Sequence, residues 1–460
     1  MPERPHILIV GGGYVGMYTA LRLQKKLHRG QATITVVDPH NHMTYQPFLP
    51  EAAAGSVEPR HVVVPLRRVL RRCLVITGAV TGVRHAERLA TVQPLEGEPY
   101  QLGYDVLVMA PGSVARTLPI PGLAACGIGF RNIGEAIYLR NHVLSRLDFA
   151  AATADGQRRR MALTFVFIGG GYAGIEALAE LEDMARYATR YYDNLTPADL
   201  RWVLIEAAER ILPEVSLPMA AYTARQLVDR GIDVRLATRV ESMVDGHAVL
   251  TDGEEFDSET IVWTAGVKAH PLLARTDLPR DGKDRLVCDP TLQVRGVPGA
   301  WGAGDCAAVP DLSNKKDPDA LCGPSAQHAV RQARRLGDNI VRTLRGDQPR
   351  PYLHAYAGSV ASLGLGKGVA EVYGVKLRGW PAWLAHRTYH VSRMPTLNRK
   401  VRVVADWTLG TLFPREVVSL GEIQQPRRDF QLAAEPPGSL PETPAGDPAE
   451  GPAASLPSGS

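Results

Sequence analysis

Two short glycine runs carry the first chemistry. Gly11-Gly12-Gly13-Tyr14-Val15-Gly16 follows the apolar stretch Ile7 to Val10, and Gly169-Gly170-Gly171-Tyr172-Ala173-Gly174 follows "LTFVFI". Each is a GxGxxG between a strand and a helix. Such glycines let the backbone turn tightly and approach a pyrophosphate, whose charge faces the N-terminus of the following helix. Each run is followed by a second strand ending in a carboxylate: "TITVVD" at Asp38, 22 residues after Gly16, and "RWVLIE" at Glu206. A carboxylate there can take a ribose hydroxyl. One such motif is weak evidence; two in the same context imply two dinucleotide sites. Gly11, Gly13, Tyr14, Val15, Gly16 and Asp38 form one candidate set, and Gly171, Tyr172, Ala173, Gly174 and Glu206 the other. Glu206 comes later than usual, so "RYATRYYDNLTPADL" must be an extended helix end plus loop.

The elements that position these residues follow the same grammar. "YDVLVMAPGS" and "DSETIVWTAGV" each read as a buried strand closed by a small-residue turn, at Ala110 and Gly112 in the first and Ala265 and Gly266 in the second. "GVPGAWGAGDCA" gives a strand ending in Gly304-Asp305, where a carboxylate can hold the polyol of a flavin; its alternative is a turn or cap aspartate. The expected fold is α/β, with two Rossmann-like dinucleotide-binding domains. The first is discontinuous, over 1–120 and 281–350, and the second is inserted at 121–280. From Val372 to Ala405 there is no Asp or Glu, and seven basic residues (Lys376, Arg378, Arg387, Arg393, Arg399, Lys400, Arg402) alternate with Trp380, Trp383, Leu384, Tyr389 and Met394. Arg387 interrupts an otherwise apolar helical face. This marks 351–428 as a separate region. The last thirty residues hold seven prolines and no Lys or Arg, so 429–460 is expected to be a disordered tail.

Composition removes several classes. A chain of 460 residues is too long for one core. The net charge of +4 is weak, and no nucleic-acid partner is read from it. Cys73, Cys126, Cys288, Cys306 and Cys322 are dispersed, without C-x-x-C, which reads as reduced thiols. No signal peptide, no apolar run of about 18 residues and no metal site are expected.

With these residues in place, residues 5–425 resemble type II NADH dehydrogenases, the single-subunit, non-proton-pumping NADH:quinone oxidoreductases of the two-dinucleotide-binding-domain flavoprotein superfamily. Most specific are "GIEALAE", "LIEAAERILP" and Ala326-Gln327-His328-Ala329-Val330-Arg331-Gln332, which fits the family's A-Q-x-A-x-Q pattern at the quinone site. "TYQPFLPEAAAG" resembles its loop against the isoalloxazine ring. The resemblance implies FAD at the first motif, with Gln46, Pro47, Val80, Ala326 and Asp305 among its contacts. It implies NADH at the second motif and quinone beside Gln327 and Gln332. Glu176 would reach the nicotinamide or join a proton path; its alternative is an acid satisfying a helix N-terminus. Ala326, Ala329 and Ala333 share a narrow stripe that leaves room for a flat ring. Gln327 and Gln332, about 140° apart at ~100° per residue, would flank a cavity as neutral amides, which meet a carbonyl without the desolvation cost of a charge.

The resemblance also implies peripheral attachment at the cytoplasmic face of a membrane through 351–428, with a homodimer open. Glutathione-reductase-like and thioredoxin-reductase enzymes need close cysteine pairs that are missing here. Cys126 and Cys322 keep a sulfide:quinone reductase-like reading open. A soluble NAD(P)H-dependent flavoprotein reductase with another acceptor is the remaining alternative.

Overall fold

The computed structural model describes residues 4–354 and 358–420; the Pro-rich tail over 429–460 lies outside them. Strand His6–Val10 is central to a seven-stranded sheet, parallel to Thr33–Asp38 on one side and Val106–Met109 on the other. Leu74–Arg84 extends it in parallel beyond Asp38. Two antiparallel strands, Leu89–Pro94 and Tyr100–Gly103, complete that side. The far edge is Ala300–Gly302, paired to Val106–Met109, so chain from far downstream finishes this sheet. Ile7, Leu8, Ile9 and Val10 are all buried, the continuous apolar run of a parallel strand covered on both faces. Helix α1 (Tyr14–Lys26) leaves the first glycine run. Short helices α2 (Leu49–Ala53) and α3 (Leu66–Val69) follow the second strand.

The second sheet has five parallel strands in the order Gly127–Gly129, Thr260–Trp263, Thr164–Ile168, Arg201–Ile205, Ile232–Arg235. Helix α4 (Ile133–Ala152) opens on a capping box, with Asn132 accepting from the Glu135 amide and Glu135 from the Asn132 amide. Helix α5 (Tyr172–Ala188) leaves the second glycine run and continues through a 3₁₀ turn, Thr189–Tyr191, into a loop before the next strand. This is the extended helix end that the late Glu206 required.

Helix α6 (Ala326–Leu344) is capped by Ser325, whose hydroxyl accepts from the His328 amide. It packs along α1, where the Thr19 hydroxyl donates to the Ala333 carbonyl at 3.3 Å. A three-stranded antiparallel sheet follows, over Ser359–Ser362, Gly368–Val372 and Val375–Arg378, then helices α7 (Trp380–Arg393) and α8 (Leu397–Leu412). No helix among the described residues is long and apolar enough to cross a membrane.

Candidate active site

Both glycine runs end at the same opening. A cavity of about 1780 Å³ is walled by the ends of the two parallel sheets, the start of α6 and the end of α7. All the sequence-predicted site residues except Gly16, Gly174 and Gln332 line it.

The two nucleotide cradles are built alike. The Asp38 carboxylate accepts from the Gly12 amide at 2.6 Å and the His40 amide at 2.7 Å. Glu206 accepts from the Gly170 amide at 2.6 Å and the Ala208 amide at 2.7 Å. Each acid is thereby held at its strand end with lone pairs left for hydroxyl donors. Gly13 and Gly171 are the N-caps of α1 and α5, and neither helix start is satisfied by a side chain. A Cβ on either glycine would meet no protein atom within 4 Å, so each helix start opens onto free space. That is the geometry an anionic pyrophosphate needs. Gly16 and Gly174 lie one turn deeper. There a Cβ would overlap the carbonyl oxygens of Gly11 and Gly169, so these glycines let helix approach strand.

The first cradle continues to Asp305. The Ser113 hydroxyl donates to its carboxylate at 2.6 Å, and the Arg131 guanidinium donates to the Ser113 hydroxyl at 2.9 Å. Arg131 precedes the Asn132 capping box and belongs to no motif, so sequence reading missed it. Gly304 takes a positive φ of 74°, and its amide donates to Gln332 Oε1 at 2.7 Å.

This last contact changes the reading of α6. Gln332 is buried behind the cavity wall, where it supports the Gly304-Asp305 turn. Gln327 does line the cavity; its amide nitrogen donates to the Gly358 carbonyl at 3.0 Å. The two glutamines therefore do not flank one space. The alanine stripe also divides: Ala326 and Ala329 face the cavity, whereas Ala333 is buried where α6 crosses α1. Small side chains serve a ring-sized space at one end and helix packing at the other.

Glu176 reaches the cavity from α5, and its carboxylate lies 3.2 Å from the His386 imidazole on α7. It also accepts from the Ser362 amide at 3.0 Å. The His386 ring stands 4.5 Å from that of His390, which lines the cavity beside Tyr389. Burial opposes charge on His386, yet Glu176, with Glu51 and Glu180 beyond, holds its pKa above the ordinary 6.5. Burial and the neighbouring His386 push His390 well below that value. One imidazole whose charge is favoured and one whose charge is disfavoured thus stand side by side between the acids and the cavity.

Nearby, Arg387 is withdrawn from the basic surface expected of this region. It is buried, pairs with Glu51 at 3.3 Å, and lies between the rings of Trp383 and Trp407. Breaking such a pair costs about 3–5 kcal/mol, because it strands a buried charge. A second unforeseen group lies beside Gln327: His328 contacts the Tyr352 hydroxyl at 3.0 Å, and its ring lies 4.1 Å from that of His354, tilted by 31°. Both histidines line the cavity, and none of the five cysteines does.

Residues 5–333 match the family model described as pyridine nucleotide-disulphide oxidoreductase. The chain belongs to that family. This flavoprotein oxidoreductase is 27% identical over 425 residues to a probable NADH dehydrogenase of Dictyostelium discoideum, covering 91% of the chain and 92% of the relative. It is also 27% identical over 431 residues to the type II NADH:quinone oxidoreductase Ndh of Mycobacterium tuberculosis, covering 90% and 89%. In fold it is similar to NDH2 of Plasmodium falciparum, solved in complex with NADH: TM-score 0.83 at 17% identity, over 90% of the chain and all of the solved one. The α/β fold with two Rossmann-like units stands on that match and on the two parallel sheets described above.

Proposed function

We propose that this chain is an FAD-dependent NADH:quinone oxidoreductase that does not pump protons. One observation carries the reading: a single cavity joins both nucleotide cradles to the start of the Gln327 helix. The named relatives, NADH dehydrogenases and type II NADH:quinone oxidoreductases, match along nearly their whole length. Asp38, Asp305, Gln46, Pro47, Val80 and the amides at the start of α1 would hold FAD; Glu206 and the start of α5 would hold NADH. When bound, the flavin supplies the two-electron chemistry that links nicotinamide to quinone.

The chain's own residues do the rest. Gln327 meets a quinone carbonyl with a neutral amide, and Gln332 steadies Gly304-Asp305 from behind. Arg131 and Ser113 orient the Asp305 carboxylate. Glu176 keeps His386 protonated, so that a proton is held one imidazole away from the cavity for the reduced acceptor. The exposed apolar and basic side chains of α7 and α8 support attachment to the cytoplasmic face of a membrane as a peripheral protein. With every cysteine off the cavity wall, thiol-based sulfide chemistry loses its support.

The test is direct. Purified protein should show a flavin spectrum and oxidise NADH rapidly only when a short-chain quinone is supplied. Equal oxidation without quinone, or with a small protein acceptor alone, would favour a soluble reductase instead.

A further inference from the structure

Away from the cavity, a recess of about 570 Å³ lies on the outer surface between α1 and α3. Leu21 and Val69 provide apolar wall, and Lys25, Arg68, Arg71 and Arg72 bring cations. Arg72 is engaged with the backbone carbonyls of Gln24 and Leu27. The other three are exposed, and none forms an ion pair among the described residues. On another face of the same helix, their chain neighbours Arg22 and Lys26 both reach Asp338.

The cations crowd further at the rim. Arg399 of α8 is partly buried, and both Arg402 and Arg68 act on it as like charges. Like charges gathered this closely repel one another, and a bound anion would relieve that repulsion.

Beside this cluster α8 turns an apolar stripe outward. Leu397, Val401, Val404 and Leu412 share one side of the helix, with Leu397 76% and Val401 60% exposed. Val403 and Trp407 pack inward instead. A helix with an apolar stripe in solvent and a basic recess nearby fits the boundary between phosphodiester headgroups and acyl chains. A zwitterionic headgroup would bring its own ammonium toward Lys25 and Arg68; an anionic one would not.

We propose that the recess between α1 and α3, with Arg399 at its rim, binds the headgroup phosphate of an anionic phospholipid while the α8 stripe rests on the same leaflet. This rests on the membrane-surface reading above. It adds an anchor from the N-terminal part of the chain, outside the C-terminal region. Two anchors on different elements would fix how the protein sits on the surface, where α8 alone would leave it free to rotate about the helix.

The experiment is co-sedimentation of the intact flavoprotein with vesicles of phosphatidylcholine, alone or mixed with phosphatidylglycerol. The unmutated protein should bind the mixed vesicles at least about tenfold more tightly. The double variant Arg68→Gln/Arg71→Gln, which removes two surface charges worth up to roughly thirtyfold before screening, should lose most of that increment. It should keep its phosphatidylcholine binding, flavin content and activity with a soluble quinone. Lys25→Gln, on the opposite wall, should show a smaller loss in the same direction. Leu397→Ser/Val401→Ser should weaken binding to both vesicle types.

If the arginine variant binds mixed vesicles like the unmutated protein, the headgroup site is wrong and the membrane reading survives. Displacement from mixed vesicles by inorganic phosphate, beyond chloride at the same ionic strength, would also overturn it in favour of a free phosphate site. If the unmutated protein binds neither vesicle, the membrane reading itself falls.

Discussion

The Glu176 carboxylate lies 3.2 Å from the His386 imidazole, joining α5 of the second nucleotide-binding sheet to α7 of the C-terminal region. Burial disfavours charge on this imidazole, and the adjoining Glu176 carboxylate favours it. Glu51 and Glu180 add to the field from behind, Arg387 is tied to Glu51, and His390 stands on the cavity side.

The charge on His386 therefore depends on Glu176. A raised imidazole pKa means that the charge is present below it and lost as pH rises through it. Glu176→Gln should lower that pKa, because burial is then less opposed. The alkaline limb of the pH–rate profile for quinone reduction should move to lower pH, with kcat near neutrality falling by about tenfold, ~1.4 kcal/mol of barrier. An alkaline limb that stays in place would remove His386 from the proton route.

Glu180 makes a separate prediction about stability. Burial first, then Glu51, raise its pKa from 4.5 to about 7, against the opposing effects of Arg415 and the Ser362 hydroxyl. A carboxyl with a raised folded pKa binds its proton more tightly in the native state. Its cost to stability is thus small below pH 4.5, grows through the interval and is complete above pH 7. Glu180→Gln should stabilise the protein at pH 8 relative to its effect at pH 5 by on the order of 2 kcal/mol. Denaturant melts at the two pH values measure it; a pH-independent effect would contradict the assignment.

Nucleotide choice should turn on Glu206. Its carboxylate faces the second cradle and would repel a 2′-phosphate, so NADH should exceed NADPH in kcat/KM. Glu206→Gln should narrow the ratio by about tenfold. Arg239 lines the same wall, although no arginine adjoins Glu206 in sequence. Removing it in that background should take away the NADPH activity gained. Equal use of both nucleotides by the unmutated protein would count against the role of Glu206.

Asp305 should bind and not react. Asp305→Ala leaves the Ser113 hydroxyl and Arg131 without their carboxylate, so the protein should purify with little flavin and regain activity on adding FAD. A full flavin complement with unchanged thermal stability would be the wrong outcome for this assignment.

The two glutamines of α6 should now separate. Gln327→Phe should slow reoxidation by quinone at least about tenfold and leave NADH-driven flavin reduction near the unmutated rate in anaerobic stopped flow. Gln332→Leu removes the acceptor for the Gly304 amide, so it should lower flavin content and stability by about 1–3 kcal/mol. Matching losses in both half-reactions for Gln327→Phe would mean that it supports flavin geometry in general.

What the sequence determined by itself was local: two strand–glycine–helix units, their terminal acids, and the small-residue turns. Each depends on residues near one another in the chain, where a GxGxxG has few structural uses and a strand end leaves a carboxylate little choice of place. The late position of Glu206 even foretold the longer helix end after Ala188. What tertiary structure decided was which side chains meet across the fold. Spacing on α6 put Gln327 and Gln332 on two sides of a helix but could not say that the Gly304 amide occupies one of those sides. An acid-free run read as a basic face, yet Glu51, far back in the chain, takes Arg387 into the interior. Neither Arg131 on Ser113 nor His386 beside Glu176 has a sequence signature, because a charge chooses its partner by desolvation and distance in the folded protein, and both are set only once the sheets and helices have packed.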